Sequence, residues 1–263
     1  MSVKVQGVVI GEGMPKVCVP VMGRTDREVM ASLYQALECQ PDVIEWRLDW
    51  LERFEVSRTV GQETQEQAFR RKALSLLELV RENSAGIPLL LTFRSKREGG
   101  EQELSGLYAD LVRAMVASGC IDLVDAELFT GDDYVRELVA LAHEHGVAVV
   151  GSSHDFQATP DEPELIRRLE RMQELGCDIS KLAVMPNSAK DVLTLLNATQ
   201  AMKAVHPEQT LITMSMGKTG MVSRLCGELT GSALTFGSAG QASAPGQVPV
   251  KQLREVLNLL HKE

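Results

Sequence analysis

The chain has 263 residues, 44% of them hydrophobic and 24% charged, so it can bury one barrel-sized core or two ordinary ones, and a disordered chain is excluded. With 27 basic against 36 acidic residues the net charge is −9, spread without a basic block, which argues against a nucleic-acid or anionic-membrane partner. The five cysteines, Cys18, Cys39, Cys120, Cys177 and Cys226, are odd in number and show no C-x-x-C spacing, so free thiols in a reducing cytosol are expected in place of a disulfide framework or a zinc site.

The start, MSVKVQGVVIGEG, alternates where a signal peptide would be continuously apolar, and no apolar run approaches the ~18 residues of a membrane span. The reading is a soluble, unexported, cytoplasmic protein. VKVQGVVI (3–10) reads as two short strands around Gly7, a hairpin ahead of the main fold. From residue 16 a rhythm sets in. Apolar strands are predicted at 16–23, 43–51, 87–95, 121–128, 147–153, 179–185, 210–217 and 232–238. Amphipathic helices are predicted between and after them, at 25–39, 64–83, 105–119, 132–146, 160–176, 188–205, 219–229 and 248–263. The first helix opens on a Thr25 cap with Glu28 at the capping-box position.

Repeated β-α units imply parallel strands joined by right-handed crossovers, which leaves an open doubly wound sheet or a closed barrel. Eight units over about 250 residues match the barrel. No G-x-G-x-x-G follows the first strand, where GRTDRE stands instead. The expectation is a single α/β domain over residues 1–263, a (β/α)8 TIM barrel with the N-terminal hairpin closing its bottom.

Active sites of such barrels lie at the C-terminal ends of the strands. Glu45, Arg47 and Asp49 alternate on the second strand and are expected to share one face. Thr92, Arg94 and Glu98 follow on the third strand and its loop, Ser152, Ser153, His154 and Asp155 end the fifth, and Arg224 follows the seventh. Ser243 and Gln247 stand in the loop GSAGQASAPGQ, which reads as a surface turn, a mobile lid or a phosphate cradle. The bland alternatives are an interior ion-pair layer for the E-x-R-x-D run and a loop salt bridge for Arg94 with Glu98. Of the five histidines, His143 and His145 read as helix-dipole caps and His206 and His261 as exposed. His154 closes a buried strand and can face the barrel mouth as a general acid or base.

The sixth strand carries the sharpest signal. In GCDISKLAVMP (176–186) an apolar run holds one lysine, Lys181, and is closed by Pro186. Its plain reading is an amine that snorkels to water. Its functional reading is an amine that loses its proton readily in a low-dielectric site and attacks a ketone to form an imine. Joined to His154, three arginines and two acidic residues at one mouth, it implies an anionic, polyhydroxylated ketone or aldehyde as substrate, with no metal needed. A class I aldolase acting on a phosphorylated sugar and a non-catalytic sugar-acid binding barrel also fit these residues.

The segments GEGMPKV, EWRLD, LTFRSKREGGEQ, DAELFTGDD, SSHDF, KLAVMP, TMSMGKTGMVSRLCGE and FGSAGQASAPGQ, in that order and spacing across nearly the whole chain, resemble type I 3-dehydroquinate dehydratase. The resemblance implies a lyase that dehydrates 3-dehydroquinate to 3-dehydroshikimate by syn elimination, the third step of the shikimate pathway to chorismate and the aromatic amino acids. It implies no cofactor beyond the covalent imine between Lys181 and substrate, and a homodimer. His154 would remove the α-proton and Glu98 would orient it. Arg224 would grip the substrate carboxylate, Glu45, Arg47 and Arg94 would hold its hydroxyls and carboxylate side, and Ser243 and Gln247 would belong to a closing loop. Two departures stand out. Pro20 occupies a position where the family usually has a serine near the substrate, so a polar contact is expected to be missing, and the connection from Asp49 to Pro88 is longer than usual.

Overall fold

The first segments form the expected hairpin. β1 (Val3–Val5) pairs antiparallel with β2 (Val8–Ile10) through Gln6 and Gly7, both at positive φ, the two-residue turn whose twist matches the flanking strands. The computed structural model describes residues 2–51, 63–240 and 242–261. Strands and helices then alternate: β3 (Lys16–Val21), α1 (Asp26–Glu38), β4 (Val43–Arg47), α2 (Gln65–Asn83), β5 (Leu89–Thr92), α3 (Gly106–Val116), β6 (Leu123–Glu127) and α4 (Asp132–Glu144). Next come β7 (Ala148–Asp155), α5 (Glu162–Glu174), β8 (Ile179–Val184), α6 (Ala189–Val205), β9 (Thr210–Ser215), α7 (Gly217–Gly220) and α8 (Gly227–Thr230). The described chain ends with β10 (Leu234–Ser238), a two-residue β11 (Val248–Pro249) and α9 (Val250–Leu260).

Strands β3 to β9 pair in sequence order, all parallel, and β10 returns to pair with β3. Ala233 N–H donates to Leu211 O at 2.7 Å beside a Leu211–Ser232 bridge, which brings β10 against β9 and closes the cylinder. This is the (β/α)8 barrel expected from the pattern. Side chains alternate along each strand, so each strand feeds two cores. Outward residues such as Trp46, Leu91, Val149 and Leu182 pack under the helices. Inward residues near the strand starts, Cys18, Val43, Leu90, Leu123, Val150, Ile179, Ile212 and Leu234, form an apolar plug that Val5 and Ile10 of the hairpin complete from below. Two residues further along most of these strands the inward positions turn polar. Glu45, Thr92, Asp125, Ser152 and Lys181 stand there, each at most 5% exposed.

Two predicted elements differ. The strand expected over 43–51 ends at Arg47, and Leu48–Trp50 is a 3-10 turn. Asp49 therefore does not share the strand face with Glu45 and Arg47. It folds back to accept from the Arg47 guanidinium and from the backbone N–H of Arg94 and Glu101. The helix expected over 219–229 is broken into α7, a 3-10 turn (Met221–Arg224) and α8. Ser223 Oγ donates to Gly220 O and accepts from Ser215 N–H, so its hydroxyl takes backbone groups that compete with a continuous helix. The long Asp49–Pro88 connection includes residues 52–62, which lie outside the described residues. Thr25 caps α1, but Glu28 reaches back to the Arg24 N–H, one residue before the expected capping-box donor. All five cysteines are free thiols, and among the described residues no helix is long and apolar enough to cross a membrane.

Candidate active site

Lys181 sits in the middle of β8 and points into the barrel, 3% exposed. Its amine does not snorkel to water. Nζ lies 3.4 Å from Asp125 Oδ2, 3.8 Å from Glu45 Oε1 and 4.6 Å from the centre of the Phe236 ring. The apolar character of the strand comes from its outward residues, Leu182 and Val184, whereas the barrel interior meets the amine with two carboxylates.

His154 comes from β7, which runs two residues beyond the predicted end and so still aims this imidazole inward. Its Nδ1 lies 2.8 Å from Glu98 Oε2, and the same oxygen accepts from the His154 backbone N–H at 3.0 Å. Glu98 reaches that point on a 3-10 turn (Lys96–Glu98) that ends in Gly99 at φ 84°, a left-handed position suited to glycine. Burial holds the Glu98 carboxyl up at about 8, against the pull of Arg94 and with Glu127 and Asp125 adding to the rise. Burial, then the charges of Arg94, Lys181 and Arg47, hold the His154 imidazole well below its ordinary value. The imidazole is therefore neutral at neutral pH, the form a base requires.

Arg94 is tied to four protein side chains. Nη2 donates to Asp125 (2.8 Å), and Nη1 donates to Glu127 (2.9 Å) and Ser152 (3.0 Å) and lies 3.5 Å from Glu98. It borders the cavity, and its terminal nitrogens organise the acidic side chains around Lys181 and His154. Arg47 is held bidentately by Asp49, with both contacts at 2.8 Å. Arg224 is the opposite case: 2% exposed, it gives Nη1 to Met214 Sδ (3.4 Å) and Nη2 to Pro245 O (3.1 Å), while Nε has no partner. Among the described residues no carboxylate stands within ion-pair reach of it, and burial lowers its guanidinium to about 10. Ser243 and Gln247 bond to each other, Ser243 N–H to Gln247 Oε1 and Gln247 Nε2 to Ser243 Oγ, both at 2.9 Å. Their loop is docked by Gly217 N–H donating to Pro245 O, and a Cβ on Gly246 would collide with Gly217.

One cavity gathers Lys181, His154, Glu98, Glu45, Arg47, Arg94, Arg224, Ser243 and Gln247. The family model for type I 3-dehydroquinase matches residues 17–263. The chain belongs to the type I 3-dehydroquinase family. It is 47% identical over 262 residues to the 3-dehydroquinate dehydratase of Salmonella typhimurium, covering 99% of each chain. Among solved structures it superimposes on a type I 3-dehydroquinate dehydratase from Clostridium difficile with TM-score 0.89 at 44% identity, covering 99% of this chain and 98% of that one. The 3-dehydroquinate dehydratase of Geobacillus kaustophilus gives TM-score 0.90 at 37% identity, with 99% and 96% covered.

In this member of the type I dehydroquinase family several residues near Lys181 and His154 escaped the sequence reading. Asp125 and Glu127 alternate on β6 as Glu45 and Arg47 do on β4, a signal hidden by the apolar residues around them. Phe156, Met214, Met216 and Phe236 supply the apolar wall. Pro20 does not border this cavity but an adjacent cleft with Met22, Arg24 and Trp50. Ser153 faces away, toward Arg168. His143, in the last turn of α4, pairs with Asp178, and His145 ends that helix; neither borders the cavity. His206, read as exposed, is half-buried between Glu170 and Glu208.

The Glu98 turn depends on Gly100. A Cβ there would collide with the Arg94 carbonyl and stand 3.0 Å from Asp49 Oδ2. Gly100→Ala should lower stability by about 1–3 kcal/mol, the usual cost of overpacking. It should also lower kcat by displacing Glu98 from His154. Chemical denaturation with steady-state kinetics checks both, and an unaltered enzyme would show that the turn adapts freely.

Proposed function

We propose that this site dehydrates 3-dehydroquinate to 3-dehydroshikimate through an imine on Lys181. The observation that carries the reading is the meeting, in one cavity, of a buried amine, a neutral imidazole held by the Glu98 carboxyl group, and a buried guanidinium with no counter-ion among the described residues. In this scheme Lys181 Nζ attacks the ring ketone, water leaves, and the protonated imine becomes an electron sink. His154 removes a proton from the adjacent ring carbon, and the electron pair moves toward the iminium to give an enamine. The enamine returns its electrons and expels hydroxide from the next carbon, with His154 giving back the proton so that water departs from the same face. Hydrolysis of the imine then frees the conjugated product and Lys181. Glu98 keeps the imidazole oriented, as a neighbour bonded to the ring nitrogen remote from the reaction does.

Arg224 binds the substrate carboxylate, since a buried, unpaired guanidinium gains most from a bidentate anion. Glu45 and Arg47 read ring hydroxyls and the carboxylate side, Arg94 fixes the carboxylates around the reacting pair, and the Ser243–Gln247 loop excludes water. The apolar wall of Phe156, Met214 and Phe236 suits a carbocyclic ring. Support for a covalent route also comes from the Clostridium difficile relative, whose structure contains covalent modified comenic acid. No cofactor enters this chemistry. The reading extends to a homodimer, supported by the family likeness, and to the cytoplasm, supported by five cysteines without disulfide or zinc-site spacing; light scattering of the purified chain tests the dimer.

The direct test is to add 3-dehydroquinate and follow the ultraviolet absorbance of the conjugated product. Turnover is expected. Turnover of a phosphorylated keto sugar in its place would move the site to the aldolase class. Arg224→Met should raise KM about 10- to 100-fold, the worth of a charge-assisted hydrogen-bonding contact, with kcat changed far less. An unchanged KM would remove Arg224 from the carboxylate.

A further inference from the structure

Asp125 is a buried acid to which the scheme above gives no part, although it touches the reacting nitrogen. Its Oδ2 lies 3.4 Å from Lys181 Nζ and accepts from Arg94 Nη2 at 2.8 Å, and its Oδ1 accepts from Ser152 Oγ at 2.7 Å. Ser152 Oγ in turn accepts from Arg94 Nη1, so both carboxylate oxygens are clamped and the side chain cannot turn away. The other groups facing Nζ are Glu45 from β4, more distant at 3.8 Å, and the Phe236 ring from β10. The Lys181 charge is also felt by His154 on β7 and by the Cys18 thiol on β3. Apart from Lys181, Glu45 meets the Thr92 hydroxyl among the described residues, and it borders the cavity where substrate hydroxyls come.

We propose that Asp125 is the counter-ion of the protonated Lys181 imine, the fixed carboxylate that keeps the iminium charged while it accepts electrons. The inference rests on the imine chemistry of the preceding section. When the ketone condenses with Nζ the nitrogen stays on β8, and its positive charge stays beside Oδ2. A neutral imine is a poor electron sink, so the fraction held as iminium multiplies the rate of proton abstraction. Burial strengthens the pairing, because little water screens it. Arg94 shares the carboxylate but cannot replace it, since it carries the same sign as the iminium.

The test is the pH dependence of borohydride trapping and of kcat in Asp125→Asn, with Ser152→Ala as the companion variant. Borohydride reduces the protonated imine, so the trapped fraction falls as pH rises through iminium deprotonation. An opposite charge at this range shifts a titration by roughly 1–3 units. In Asp125→Asn the fall should therefore begin at least about one unit lower than in the wild type. kcat at neutral pH should drop by about tenfold or more, while KM changes little. Ser152→Ala, which removes a clamp but no charge, should leave the trapping midpoint in place even if it lowers Tm. If Asp125→Asn is folded and its trapping profile overlays the wild type, or if both variants lose activity only in proportion to stability, the counter-ion role is overturned. Wild-type enzyme that traps no adduct at any pH would instead sink the imine reading itself, so the two failures are told apart.

Discussion

Lys181→Ala should abolish dehydration, lowering kcat by at least about 10⁴-fold, while leaving a folded barrel. The size follows from the chemistry: without the amine there is no iminium to accept the electrons released by proton abstraction, and no other described lysine borders the cavity. The fold survives because Asp125 keeps Arg94 and Ser152 as partners, and the apolar plug lies below the lysine. Glu45 loses a cation 3.8 Å away, so a stability loss of about 3 kcal/mol is expected, the lower end of what breaking a buried pair costs. Circular dichroism and a product assay on the same preparation separate folding from chemistry. Near-wild-type turnover would refute the covalent route.

His154→Ala should lower kcat by about 10²–10⁴-fold, the range for a positioned acid–base group, while KM moves little. The imine should still form, more slowly, so covalent intermediate should accumulate without product. The wild-type pH profile follows from the same surroundings. Burial and the cations Arg94, Lys181 and Arg47 oppose protonation of this imidazole. It therefore stays neutral as pH falls through its ordinary value of about 6.5, and charges only below it. The acid limb of kcat/KM assigned to His154 should lie below pH 6.5 and disappear in the variant. A limb at or above 6.5 would mean that Glu98, at 2.8 Å, outweighs the cations.

The barrel was legible because its signals repeat. Each barrel strand is an apolar run and most of the long helices carry a 3.6-residue stripe, and the hairpin turn at Gly7 follows from the alternation around it. Lys181 and His154 were legible as polar residues in strands that are otherwise apolar or small. Asp125 and Glu127 were not, because the last two of the three acids in IDLVDAEL resemble a strand end turning to solvent, and only barrel closure shows that they face Arg94. The bonding of Arg94 inside the barrel was hidden for the same reason, since its four partners come from three separate segments. Asp49 was misplaced because period-two alternation continues into a 3-10 turn without changing the pattern of letters. The break around Ser223 depends on a hydroxyl bonding back to the end of β9, a tertiary contact with no local signature.

The central claim, a covalent imine on Lys181, is tested most directly by reducing a mixture of the protein and saturating 3-dehydroquinate with borohydride and mapping the product by peptide mass spectrometry. One ring-derived adduct is expected, on the peptide that contains Lys181. An adduct on another lysine, or none from folded protein, would contradict it.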